Sequence, residues 1–81
     1  MEIRILGPGC PRCFEVEKRT IRALAELNLI ADVQKISDIK RFIEFGIFST
    51  PGLVINGKVV CQGRIPRPEE IKDWIQKAAN R

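Results

Sequence analysis

Cys10-Pro11-Arg12-Cys13 is the stretch of this chain best suited to covalent chemistry. Two thiols with two residues between them can exchange with a disulfide: one attacks as a thiolate, and the other displaces the product from the mixed disulfide. The same spacing suits a soft ion such as Cu(I) or Hg(II), held between two thiolates. Cys61 brings the cysteine count to three, an odd number that leaves at least one thiol unpaired inside a monomer. The chain contains no His and no Tyr. That removes the usual general base, the usual zinc ligand and any Ser–His or Cys–His pair, so most hydrolytic chemistry is excluded. A closed zinc site needs four ligands, which three Cys and no His do not supply within one monomer.

What the two thiols can do depends on the elements that hold them. Glu2 to Leu6 alternates, with Ile3 and Ile5 on one side and Glu2 and Arg4 on the other, and reads as a short strand. Gly7-Pro8-Gly9 breaks it, and a helix is predicted from Pro11 to Leu27, with proline at the first helical position. Cys10 then falls at or just before the helix start, where unpaired N–H groups and the positive end of the dipole stabilise a thiolate. Arg12 adds positive charge, Pro11 stiffens the turn, and Cys13 follows one helical turn later. These positions make Cys10 the attacking sulfur and Cys13 the resolving one.

Thr20, Ala23, Leu24 and Leu27 form the inner stripe of that helix, and Asn28 caps its C-terminus. A second strand is predicted over Ile30–Ile36. A short helix capped by Ser37 or Asp38 follows, with Ile39, Phe42 and Ile43 as its apolar face and Gly46 at its end. Asn56-Gly57 between Leu53-Val54-Ile55 and Lys58-Val59-Val60-Cys61 signals a two-residue hairpin that pairs Ile55 with Lys58, Val54 with Val59 and Gly52 with Cys61. Pro68-Glu69-Glu70 opens a last helix that docks through Ile71, Trp74, Ile75 and Ala78. Trp74 reads as core, and Phe14 as a packing residue or as part of an apolar rim that receives substrate. Of Phe42, Phe45 and Phe48 not all can face inward, which leaves one for an exposed patch near Pro51. The order β-α-β-α-β-β-α describes an α/β fold: a four-stranded mixed sheet flanked by three helices, in a single domain over 1–81.

The 81 residues carry a net charge of +4, but the 14 Lys and Arg are spread among 10 acids and run no longer than the pairs Lys18-Arg19 and Lys40-Arg41. A nucleic-acid interface needs clustered positive charge, so none is expected; at most the charge favours acidic protein partners. No signal peptide and no membrane span are read from the sequence. The expected location is the cytoplasm, where a Cys pair is more often catalytic or metal-binding than structural.

The CPxC after the first strand, the Thr50-Pro51 pair before Leu53-Val54-Ile55-Asn56-Gly57 and the closing helix together resemble the small thioredoxin-like and glutaredoxin-like redox-active disulfide proteins of archaea and bacteria. The resemblance spans essentially the whole chain and implies the thioredoxin fold. It matches Cys10 and Cys13 to the redox pair, Thr50 and Pro51 to a cis-proline dipeptide beside that pair, and Gly7, Pro8 and Gly9 to the loop exposing the first Cys. Gly9, Thr50, Pro51 and Gly52 would then offer backbone to a substrate chain. Gly9 stands where thioredoxins carry Trp, Arg4 where they carry a buried acid, and no acid follows the hairpin where glutathione-dependent relatives anchor their substrate. The implied activity is thiol–disulfide oxidoreduction without a cofactor, as a monomer. Disulfide-containing proteins would be the targets and a thioredoxin-reductase-like flavoenzyme the electron donor. Cys61 is read as a small buried strand residue, or else as a third active thiol or a site of intermolecular crosslinking. Two other functions stay open: a soft-metal carrier, and a redox-sensing adaptor without turnover.

Overall fold

The molecule is seen in a computed structural model that describes residues 1–9 and 11–79. Its elements run β1 (Glu2–Leu6), α1 (Pro11–Glu26), β2 (Asp32–Ile36), α2 (Ile39–Glu44), β3 (Gly52–Ile55), β4 (Lys58–Gln62) and α3 (Pro68–Ala79). The four strands form one sheet in the order β2-β1-β3-β4. β1 and β2 are parallel across the α1 crossover, whereas β1–β3 and β3–β4 are antiparallel. This is the mixed four-stranded sheet with three helices that the element order implies.

Strand alternation divides the core in two. Ile3, Ile5, Leu53 and Ile55 point to the face covered by α1 and α3, where Val16, Ala23, Leu24, Ile71 and Ile75 complete the larger cluster. Leu6, Ile36 and Val54 point to the other face, where Phe42 of α2 and Ile47 close a smaller one. Ile71 and Ile75 are fully buried, each contributing about 1.5–3 kcal/mol of transfer free energy.

The helix ends are fixed by local chemistry. Asn28 adopts φ 57° at the end of α1, and the amides of Asn28 and Leu29 return to the carbonyls of Ala25 and Leu24. The same closure ends α2, where Gly46 has φ 81° and Ile47 N–H donates to Phe42 O at 2.8 Å, which turns Ile47 into the small cluster. Asp38 caps the start of α2 by accepting from Lys40 N–H at 3.0 Å. At the start of α3, Glu70 accepts from Arg67 N–H at 3.0 Å and from Arg64 Nη1 and Nη2, at 2.9 and 2.8 Å.

Three local expectations are corrected. β2 starts at Asp32, and Ile30 lies outside it, 96% exposed. α2 buries only Phe42, which packs with Ile47 in the small cluster, while Ile39 and Ile43 stay about two-thirds exposed. In the hairpin, Ile55–Lys58 and Val54–Val59 pair as expected, but a bulge between Leu53 and Val54 shifts the register: Cys61 lies opposite Leu53, and Gly52 opposite Gln62. The extra residue, Val60, packs with Cys61 toward α1 and α3, whereas Val59 packs on the α2 side.

Candidate active site

Of the residues singled out for chemistry, Cys13 and the Pro51-Gly52 segment lie at the C-terminal end of β1. Leu6 pairs with Gly52, so the backbone of Pro51 and Gly52 runs beside that of Leu6 and Gly7. Gly7 continues the line of the sheet by donating to Ile36 O at 3.0 Å. Cys13 is 4% exposed, in the first turn of α1, and its sulfur lies directly on Gly7: a Cβ there would overlap Cys13 Sγ. Glycine is thus required at position 7 for clearance, a role the sequence did not reveal. Gly9 is exposed with φ 90°, a conformation few other residues adopt, and Pro11 is exposed at the start of α1. Cys10 lies outside the described residues.

The Thr50–Pro51 peptide bond is cis, with Pro51 buried and Thr50 half-buried. Gln62, at the end of β4, and Gly63 after it hold this loop through three hydrogen bonds. Gln62 Oε1 accepts from Phe48 N–H at 2.8 Å and Ser49 N–H at 3.2 Å, and Gly63 N–H donates to Pro51 O at 3.0 Å. Gly63 in turn accepts at its carbonyl from Arg12 Nη2, 3.0 Å away. Arg12 therefore does more than add charge: it ties the first turn of α1 to the segment that holds the proline loop. No short-range signal marks Gln62 or Gly63, since their partners lie 12 or more residues earlier in the chain.

The remaining expectations divide. Cys61 is a free thiol, 8% exposed, in the cluster beneath α1 and α3, with its sulfur 3.8 Å from Arg64 O; burial pushes its pKa up. Phe14 is not packed inward but 51% exposed, with Lys35 Nζ 4.7 Å from its ring centre. Phe42 is core, Phe45 packs at the edge of the small cluster, and Phe48, beside the proline loop, is 82% exposed. Trp74 is half-buried against the larger cluster. Arg4 donates to Asp32 O at 2.9 Å and lies 3.3 Å from Asp32 Oδ2.

A buried cysteine in the first turn of the helix that follows β1, with a cis-proline directly before the strand paired to β1, agrees with one family in particular. The sequence profile of the thioredoxin domain family matches residues 1–76. This chain belongs to the thioredoxin family. It is similar to a thioredoxin of Methanocaldococcus jannaschii, with 38% identity over 74 residues that cover 91% of this chain and 85% of that protein. It is equally similar to one of Methanothermobacter thermautotrophicus, with 38% identity over 72 residues, 89% of this chain and 94% of the relative. A probable thioredoxin of Archaeoglobus fulgidus is 33% identical over 74 residues, covering 88% and 80%. As a member of the thioredoxin family the chain is a thiol–disulfide oxidoreductase, and membership implies disulfide-containing proteins as substrates. No helix among the described residues is long and apolar enough to cross a membrane.

Proposed function

We propose that Cys10 and Cys13 are the working couple of a protein-disulfide reductase. The Cys10 thiolate attacks a target disulfide, forming a mixed disulfide and releasing one target thiolate. Cys13 then attacks Cys10 Sγ, releasing the second target thiol and leaving a Cys10–Cys13 disulfide. A thioredoxin-reductase-like flavoenzyme returns two electrons to that bridge, and the chain serves in cytoplasmic redox homeostasis as a monomeric, single-domain electron carrier without a cofactor.

The observation that carries this reading is the seating of Cys13 Sγ on Gly7, one residue from Leu6, whose partner Gly52 directly follows Pro51. That contact supports a resolving role for Cys13 close to the proposed substrate-binding backbone. Gly9, Thr50, Pro51 and Gly52 are the proposed substrate contacts, with Pro11 and Arg12 supporting the turn. Cys61, buried under α1 and α3, is left out of the cycle.

Cys10→Ser should abolish reduction of a protein disulfide, while Cys61→Ser should retain it. At neutral pH, Cys10 should alkylate far faster than Cys61. Full reductase activity in Cys10→Ser, or equal alkylation of all three thiols, would overturn the assignment.

A further inference from the structure

An open groove of about 310 Å³ runs between α1 and α3, lined by Lys18, Arg19 and Arg22 on one side and Lys72 on the other. Its two carboxylates are engaged. Glu15 Oε2 accepts from Arg19 Nε at 2.8 Å, and Glu26 pairs with Lys72 at 2.6 Å. The Arg19 hydrogen bond, with the charges of Lys18 and Arg22 behind it, holds Glu15 below the usual carboxylate range. Arg19 is also pinned, donating to Pro66 O at 2.9 Å. Lys18 and Arg22 are exposed and have no hydrogen bond or ion pair among the described residues. The groove thus presents surplus positive charge on a helix, not a solvated alternation of signs.

Its direction connects it to the redox motif. Arg12, Glu15, Arg19 and Arg22 follow one another at intervals of three or four, one face of α1, and Arg12 reaches Gly63 at the proline-loop end. From Arg12 to Arg22 the helix rises ~15 Å, the span of about five extended residues. Lys18 and Arg22 are one turn apart, with Cβ atoms ~5–6 Å from each other. Alternate side chains of an extended peptide are spaced ~6.5 Å, so acids at positions i and i+2 can meet both cations.

We infer that this groove binds an acidic segment of the disulfide-bearing partner protein, laid along α1 with its disulfide toward the Cys10 end. The inference rests on the exchange function proposed above and adds a substrate class to it. Lys18 and Arg22 supply the contacts, while Arg12 and Arg19, held by carbonyls of the segment between β4 and α3, keep the wall in place.

Two disulfide peptides test it, one with Asp and Glu at alternate positions beside the cystine and one with Asn and Gln there. At low salt the acidic peptide should show about tenfold higher kcat/KM, and the advantage should fade in ~0.5 M salt, as expected of exposed charges. Lys18→Glu/Arg22→Glu should cancel the preference while leaving reduction of a small uncharged disulfide unchanged. Equal rates for the two peptides, or a preference that survives in the double variant, would overturn the inference. So would tighter binding of a single-stranded oligonucleotide than of the acidic peptide at equal charge. Failure of wild type to reduce the small disulfide would instead overturn the exchange mechanism. Fluorescence anisotropy with a cystine-free acidic peptide reads the groove in that case too, and wild-type binding lost in the double variant supports it.

Discussion

Gly7→Ala isolates the contact that seats the resolving sulfur. Gly7 is outside the left-handed region, so its backbone does not require glycine; the Cys13 side chain does. An added Cβ would overlap Cys13 Sγ and stand 3.2 Å from Cys13 Cβ, in a place where both residues are buried. The sulfur is on the first turn of a helix docked by its next buried residues, Val16 and Thr20, and has little freedom to retreat. Overpacking of this kind costs about 1–3 kcal/mol. In urea unfolding of the reduced protein, Gly7→Ala should therefore lower the midpoint with an unchanged slope. For a domain this size the thermal midpoint should fall ~4–8 °C per kcal/mol. The decisive comparison is a double-mutant cycle. In a Cys13→Ala background the sulfur is gone, and Gly7→Ala should cost at least ~1 kcal/mol less, a coupling well above the ~0.5 kcal/mol expected of independent sites. An identical cost of Gly7→Ala in both backgrounds would refute the contact and the seating of Cys13 inferred from it.

Other predictions follow from separate features. Asn56 adopts φ 51° and its Oδ1 accepts from Glu2 N–H at 2.9 Å, so Asn56→Ala should destabilise by about 1–2 kcal/mol in urea unfolding, and Asn56→Gly by less. Glu70 is held at about 2, against an ordinary 4.5, by Arg64 and then by Arg67 N–H; its folded pKa is depressed, so the stability it confers is present above 4.5 and lost as pH falls toward 2. Glu70→Gln should flatten the fall in thermal midpoint across that window; an unchanged pH profile would refute the pairing. Burial pushes the Cys61 thiol up, so its alkylation in native protein should be far slower than in denaturant and should accelerate only at pH above the usual thiol range. Rapid native labelling of Cys61 would contradict its place in the core.

Much of the fold was legible because its signals are local. Asn-Gly between two β-branched runs, proline at the start of α1 and the caps at Asn28, Asp38 and Gly46 each act within a few residues, and each has its expected consequence. What escaped is non-local. The hairpin bulge depends on how Val60 and Cys61 pack under α1 and α3, which nothing in the alternation of Lys58-Val59-Val60-Cys61 announces. Ile39 and Ile43 have helical spacing, but spacing alone does not say that the sheet beneath α2 has room only for Phe42 and Ile47. Phe14 follows the motif directly, yet its surroundings are set by Lys35 on β2, a contact made across 21 residues of chain. In the site, residue types marked Cys13 and Pro51, whereas the parts that position them, Gly7, Gln62 and Gly63, are visible only once three strands are side by side.

The mixed disulfide itself reports which sulfur receives the substrate. Cys13→Ser, mixed in its reduced form with a disulfide-bearing protein, should accumulate a stable covalent adduct. Peptide mapping by mass spectrometry should place the bond at Cys10 alone, and the adduct should be absent from Cys10→Ser/Cys13→Ser. A bond mapped to Cys61, or no adduct at all while wild type turns over the same substrate, would contradict the mechanism.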